Sequence, residues 1–229
     1  MKLTFLGTGA AYYPVLGSTS AYFKIEDTLY LLDCGETTFT RLIAKRVLMA
    51  CTNVFVIMTH IHADHFGSLG SLISYCKNIL DIDVTILYPD PIIKQVLRLT
   101  GLTEFDYSFS DDFTVVYPGG IRITPEKVKH DLSMTCVGYY IDDANEVIYY
   151  GGDSCGIPDE LVKQLDNQIV TYAYLETTYE SKETSGHTSL QQLCRLIPKE
   201  LRKKVVCMHF GDDFRSTVKA CGFEVALSE

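Results

Sequence analysis

The segment Thr59-His60-Ile61-His62-Ala63-Asp64-His65 places three of the chain's six histidines within six positions, with a carboxylate among them. Imidazole nitrogens and a carboxylate are borderline ligands that suit zinc, and manganese or iron less selectively. The apolar run Val54–Met58 leads directly into this segment and is too short for a helix, so it reads as a buried strand. A strand ending at Thr59 puts His60 and His62 on one side of the departing chain, because strand side chains alternate with period two. Asp64 and His65 then fall past the strand, where the chain can fold back toward them.

The remaining candidates sit in comparable places. His130 follows Ile121–Thr124 and a charged turn, and precedes Thr135–Ile141. Asp153 closes Tyr149-Tyr150-Gly151-Gly152-Asp153-Ser154, a strand running into glycines, where a carboxylate would be held rigidly. His209 ends the apolar run Val205–Met208. Taken singly, each is explained by a hydrogen-bonded histidine or a turn aspartate. Together with His60, His62, Asp64 and His65 they form the pattern of a metal site assembled at the edge of a sheet.

The elements that must position these residues follow from patterning. Strands are expected at Lys2–Leu6, Ala21–Ile25, Thr28–Asp33, Val54–Thr59, Val84–Tyr88, Phe113–Tyr117, Ile121–Thr124, Thr135–Ile141, Glu146–Tyr150, Ile169–Glu176, Val205–Phe210 and Phe223–Leu227. Helices are expected at Thr37–Leu48, Leu69–Leu80, Ile92–Leu99, Pro158–Leu165, Ser189–Ile197 and Asp213–Cys221. Asp142-Asp143-Ala144-Asn145 has hairpin composition. Strands come first and mixed elements afterwards, in two comparable halves, which predicts an α/β layered protein with mixed sheets and not a βαβ repeat. No internal repeat and no Gly/Ser/Pro linker divides the chain, so residues 1–229 are read as a single domain.

With these motifs in view, the chain resembles the metallo-β-lactamase superfamily, from Phe5-Leu6-Gly7-Thr8-Gly9 and Leu31-Leu32-Asp33-Cys34-Gly35-Glu36 through to His209. That resemblance implies a four-layer αββα sandwich of two mixed β-sheets, with two divalent metal ions, zinc first and manganese or iron as alternatives. One metal would take His60, His62 and His130, the other Asp64, His65 and His209, with Asp153 between them. Within the superfamily the chain is most similar to the phosphodiesterase branch that includes ribonuclease Z. The matching residues are Gly7-Thr8-Gly9 with Pro14 and Ser18, Asp33-Cys34-Gly35-Glu36, His130 with Gly138-Tyr139, and Gly152-Asp153-Ser154. Leu175-Glu176-Thr177-Thr178-Tyr179 and Gly186-His187-Thr188-Ser189 resemble that branch's glutamate and extra histidine. The implied roles make Asp64 or Asp153 the carboxylate that orients or deprotonates the nucleophile, and His187 the candidate proton donor to a leaving oxygen, with Glu176 as its orienting partner.

The match also has gaps. Ribonuclease Z carries a tRNA-gripping arm between the third histidine and the bridging aspartate, where this chain has only the 22 residues 131–152. His209-Phe210-Gly211-Asp212-Asp213 puts two carboxylates where a serine and an arginine usually follow. With a net charge of -9, long nucleic acid is not an expected partner. The expected substrate is a small phosphodiester such as a cyclic nucleotide. Thiolester or lactone hydrolysis on the same ligands, and a non-catalytic binding module, are the alternatives. The latter draws on the carboxylate pair and on 15 tyrosines, with Tyr12, Tyr13, Tyr139, Tyr150 and Tyr179 near the motifs.

Composition agrees with a globular protein, at 47% hydrophobic and 21% charged residues. No apolar run reaches the roughly 20 residues of a membrane span, and the amino-terminal residues do not read as an export signal. The eight cysteines form no C-x-x-C pair and read as buried thiols of a reducing compartment, so a cytoplasmic location is expected. A homodimer is implied by the resemblance alone.

Overall fold

The computed structural model describes residues 1–179 and 186–228. Two six-stranded sheets, each in sequential order, form the body. The first contains β1 (Thr4–Gly7), β2 (Ser20–Ile25), β3 (Thr28–Leu32), β4 (Asn53–Ile57), β5 (Asp83–Leu87) and β6 (Ser108–Ser110). The second contains β7 (Arg122–Lys127), β8 (Val137–Asp142), β9 (Val147–Tyr150), β10 (Tyr172–Glu176), β11 (Val205–Met208) and β12 (Glu224–Val225). In each sheet the first three strands are antiparallel neighbours and the rest are added parallel. Both sheets are therefore mixed, as expected, and their parallel strands need crossover helices.

Side-chain alternation divides the second sheet between two cores. In β9, Ile148 and Tyr150 join the core shared with the first sheet, while Tyr149 faces the other way. In β10, Tyr174 packs inward and Ala173 and Leu175 outward, and in β11, Met208 packs inward and Val205 and Cys207 outward. The outward residues meet α5 (Leu161–Asp166), α6 (Leu190–Leu196) and α7 (Arg215–Ala220) through Leu161, Leu165, Leu190, Leu193 and Val218. The first sheet is covered in the same way by α1 (Thr38–Ala44), α3 (Leu69–Tyr75) and α4 (Ile92–Leu99), which bury Leu42, Leu69, Leu72, Ile73, Ile93 and Leu97. The result is the four-layer αββα sandwich. No helix among the described residues is long and apolar enough to cross a membrane.

Several local expectations shift. Phe113–Tyr117 is not a strand: Asp112 Oδ1 accepts the Thr114 amide at 2.9 Å, Val115 and Val116 are exposed, and Tyr117 alone bridges to Ile121. The edge strand lies instead in the polar stretch before it, as β6. The helix expected over Leu69–Leu80 loosens into a π-turn at Cys76–Leu80. Of the cysteines, Cys155 is exposed in the loop after Asp153 rather than buried, and all eight are free thiols. Cys34 is buried, and desolvation pushes its thiol up to about 12.

Candidate metal centre

The two sheets meet at the ends of β4 and β8. Val137 N donates to Thr59 O at 3.0 Å, and the Tyr139 hydroxyl to Met58 O at 2.7 Å. The chain leaving β4 carries His60 and His62 and enters the short helix α2 (Ala63–Phe66), which holds Asp64 and His65. His130 lies between β7 and β8, Asp153 after β9, Glu176 at the end of β10, and His209 immediately after β11. Phe210 is clasped by the loop after β1, with its amide 2.8 Å from Thr8 O and its carbonyl accepting from Ala10 N at 3.0 Å. That clasp ties the end of the second sheet to the first and brings His209 to the shared edge.

Among the described residues the candidate donor atoms fall into three overlapping groups, His60–His62–His130, Asp64–His65–Asp153–His209 and Asp153–Glu176–His187–His209. In the first, His60 Nε2 and His130 Nε2 stand 3.0 and 3.2 Å from His62 Nδ1. In the second, His65 Nε2 lies 3.4 Å from Asp64 Oδ2 and 3.1 Å from Asp153 Oδ1, and His209 Nε2 lies 3.2 and 3.3 Å from the same two oxygens. The other Asp153 oxygen is 3.7 Å from His130 Nε2, so this carboxylate faces the first two groups. A tetrahedral zinc with bonds of about 2.0–2.1 Å has ligand-to-ligand edges of about 3.3 Å, the spacing seen in those two groups.

The chemistry of the donors fits a cation as well. His130 Nδ1 donates to Gly186 O at 3.1 Å, so its Nε2 presents a lone pair. His60 Nδ1 lies 3.0 Å from Thr59 Oγ1, whose hydroxyl donates to Asp33, so His60 Nε2 presents one too. His65 Nδ1 donates to Asp33 Oδ2 at 2.8 Å, leaving its Nε2 toward two carboxylates. His65 Nε2 and Asp153 Oδ1 are buried without a hydrogen-bond partner. Converging lone pairs out of water are costly unless a cation or protons sit among them. These clusters are compatible with metal binding.

Electrostatics describe the same site when only protons fill it. Burial drives His60 well below its ordinary value, with His65 adding to the effect. Burial pulls His65 down too, but Asp153 and Asp33 outweigh it and hold His65 well above the ordinary histidine value. His209 is likewise pushed up to about 10, burial being overcome by Asp153 and by its hydrogen bond to Asp64. Asp64 and Asp153 are held low against burial, Asp64 chiefly by its hydrogen bonds to His209 and His65, Asp153 by the charges of those two imidazoles.

Asp33 carries more of the site than its motif revealed. Its carboxylate accepts the Thr59 amide at 2.8 Å, the Thr59 hydroxyl and His65 Nδ1, so one buried group orients ligands in both clusters. A charged residue ending the apolar run Leu29–Leu32 was the available signal. Two glycines allow the close approach. A Cβ on Gly35 would lie 1.7 Å from Asp64 O, and Gly152, at φ +58°, leaves 2.8 Å between such an atom and Thr59 Cβ.

Glu176 and His187, placed far apart in the chain, meet beside Asp153. Glu176 Oε1 accepts Ser154 N at 2.7 Å and Thr188 N at 3.1 Å, while Oε2 accepts His187 Nδ1 at 2.6 Å. His187 Nδ1 is 3.9 Å from Asp153 Oδ2, and its ring centroid is 4.9 Å from that of His130. The hydrogen bond to Glu176 raises the His187 pKa, against partial desolvation. Of the tyrosines expected nearby, Tyr139 and Tyr150 are instead fully buried between the sheets, because alternation turns them inward. Tyr12 and Tyr179 are exposed.

Fold and site together define a hydrolase-like protein of the metallo-β-lactamase fold. The metallo-β-lactamase-fold protein YhfI of Bacillus subtilis superposes with a TM-score of 0.75 at 20% identity, covering 99% of this chain and 95% of its own. The chain belongs to the family of the anti-Pycsar protein Apyc1, whose family model matches residues 1–227. Anti-Pycsar protein Apyc1 of Paenibacillus sp. (strain J14) is 28% identical over 241 residues, 97% of this chain and 94% of that protein. Zinc phosphodiesterase ELAC protein 1 of Homo sapiens is 43% identical over 74 residues, 32% of this chain and 20% of that protein.

Proposed function

We propose that this chain is a phosphodiesterase that uses two divalent metal ions, zinc first, to cleave a small phosphodiester such as a cyclic nucleotide. The observation that carries the reading is the Glu176–His187 pair beside Asp153. A thiolester or lactone hydrolase needs no such imidazole, and a binding module needs neither partner. When bound, the metal ions supply Lewis acidity, acidifying a nucleophilic water and stabilising charge on the phosphoryl oxygens. His60, His62 and His130 would hold one ion, and Asp64, His65 and His209 the other, with Asp153 shared.

The chain's own groups then divide the proton work. Asp64 and Asp153, both held ionised, orient the attacking water and draw on its hydrogens. His187 gives a proton to the departing alkoxide. Its Nδ1 hydrogen stays with Glu176, and the same hydrogen bond raises its pKa and so favours the doubly protonated form that can give the second proton. The segment between His130 and Asp153 is occupied by a loop and the β8–β9 hairpin, which leaves no room for a tRNA-gripping arm and favours a small substrate. The names of two relatives, a zinc phosphodiesterase and an anti-Pycsar protein, accord with this reading.

The test is metal analysis of the purified chain together with turnover of cyclic nucleotides, bis-p-nitrophenyl phosphate, a lactone, a thiolester and a tRNA precursor. Opening of a cyclic nucleotide to a single phosphomonoester is expected, with loss of activity on chelation. Turnover confined to the lactone or thiolester, or tRNA trimming at rates matching the best small substrate, would overturn the reading.

A further inference from the structure

His62 differs from the other imidazoles of the edge. It turns Nδ1 toward its group, while His60, His65, His130 and His209 all turn Nε2. Its Nε2 therefore faces outward, and there it meets Asp131 Oδ2 at 3.3 Å. Both side chains are about one-third exposed, and this contact is the polar one made by the outer nitrogen of the ring among the described residues. We propose that Asp131 is a positioning residue: it accepts the His62 Nε2 hydrogen, holds the ring with Nδ1 inward, and completes the His60–His62–His130 group as a metal site. This rests on the metal-dependent reading above and adds to it a residue that touches neither substrate nor metal.

Three observations carry it. First, the carboxylate is preset. Asp131 Oδ1 accepts both the amide and the hydroxyl of Ser133, each at 2.7 Å, which leaves Oδ2 alone for His62. Second, the loop bearing it is pinned on both sides. His130 Nδ1 donates to Gly186 O, and Thr135 Oγ1 donates to Asp90 Oδ2 at 2.6 Å. One short loop thus contributes His130 itself and the group that orients His62. Third, charge is unequal between the groups. The second contains Asp64 and Asp153 outright, whereas the first consists of three imidazoles and faces only the second oxygen of Asp153. A carboxylate behind an imidazole raises its basicity as a ligand and fixes its tautomer, and its loss typically weakens metal binding about 10–100-fold.

The experiment is a stepwise zinc titration of the full chain against a competing chelator, for the wild type and for Asp131→Ala, Asp131→Asn and Ser133→Ala, with melting curves of the metal-free proteins alongside. Asp131→Ala should weaken one of two zinc equivalents about 10–100-fold and leave the other at wild-type affinity. Asp131→Asn keeps its carbonyl oxygen on the Ser133 amide and turns an NH2 group toward the His62 Nε2 hydrogen, so it should weaken the same equivalent at least as much as Asp131→Ala, and Ser133→Ala should cost less. Melting of the metal-free variants should match the wild type, because Asp131 sits on a partly exposed loop outside both hydrophobic cores. Two equivalents bound by Asp131→Ala at wild-type affinity would overturn the proposal while leaving the metal-dependent reading intact. Equal weakening of both equivalents, or metal-free variants that melt early, would mark a general structural role and overturn it too. A wild-type chain that takes up no zinc would remove the underlying reading instead.

Discussion

Replacing Glu176 by glutamine tests the division of proton work at its narrowest point. The substitution keeps shape and volume but exchanges one accepting oxygen for an NH2 group. Oε1 receives two backbone amides, from Ser154 and Thr188, so the surviving carbonyl oxygen must stay there. The NH2 then replaces Oε2 at 2.6 Å from His187 Nδ1, where two donors would meet. His187 escapes by shedding its Nδ1 hydrogen and accepting from the amide, which leaves a neutral imidazole whose remaining proton is far less acidic. General acid catalysis is worth about 10²–10⁴ in rate, and that is the loss expected for a substrate leaving as an alkoxide. A p-nitrophenolate departs without needing a proton, so bis-p-nitrophenyl phosphate should lose little. The assay is kcat for both substrates in wild type and E176Q, at matched metal content and across pH. The basic limb for the alkoxide substrate should also move to lower pH in E176Q, because the group that raises His187 is gone. Equal loss on the two substrates at full metal occupancy would refute the assignment of His187 as the acid.

Two further outcomes follow from the same geometry. Gly35→Ala places a Cβ 1.7 Å from Asp64 O, short of van der Waals contact by about 1.5 Å, so the Asp64 backbone must move. A shift of about 1 Å at a reacting centre costs about 100-fold in rate. Activity should therefore fall by at least that factor while circular dichroism still reports both sheets, and wild-type turnover in G35A would contradict the close approach. Stripping metal should make stability depend on pH. The metal-free His209 is raised to about 10 from an ordinary value near 6.5, so its contribution is complete below about pH 6.5 and is lost as pH rises through about 10. His65 acts in the same direction, and chemical denaturation of chelated protein between pH 6 and 10 should show a fall that the zinc-loaded protein lacks.

The residues that converge in these clusters were legible because most of them follow a break from apolar alternation into a polar segment, and such breaks lie at sheet edges. The same alternation made the layered α/β class readable. Other features escaped for identifiable reasons. Tyr139 and Tyr150 looked like site residues by proximity in sequence, yet alternation within β8 and β9 turns them into the core. Phe113–Tyr117 has strand composition but pairs only at Tyr117, with Ile121, and Asp112 turns its start. Asp131 carries no signal at all, because the His62 face it meets is set by how two distant loops pack.

Backbone conformation supplies a link that residue type could not. Asp33 and His209 both adopt left-handed φ, at 60° and 59°, directly after β3 and β11. A non-glycine residue pays about 1–2 kcal/mol for that region. In a β conformation each side chain would continue the alternation of its strand and stand within a packed layer. The left-handed residue breaks that alternation at the last moment and turns a polar group to the edge. Backbone hydrogen bonds at the strand ends hold each one in place: Asp33 N donates to Ile57 O at 3.0 Å, and Phe210 N, next to His209, to Thr8 O at 2.8 Å. The two sheets thus use the same local strain at corresponding exits, one to orient the histidines and the other to supply one. Strain of this kind persists only where the surroundings over-determine it. Here what over-determines it is the convergence itself, with Asp33 held by Thr59 and His65, and His209 held between Asp64 and Asp153.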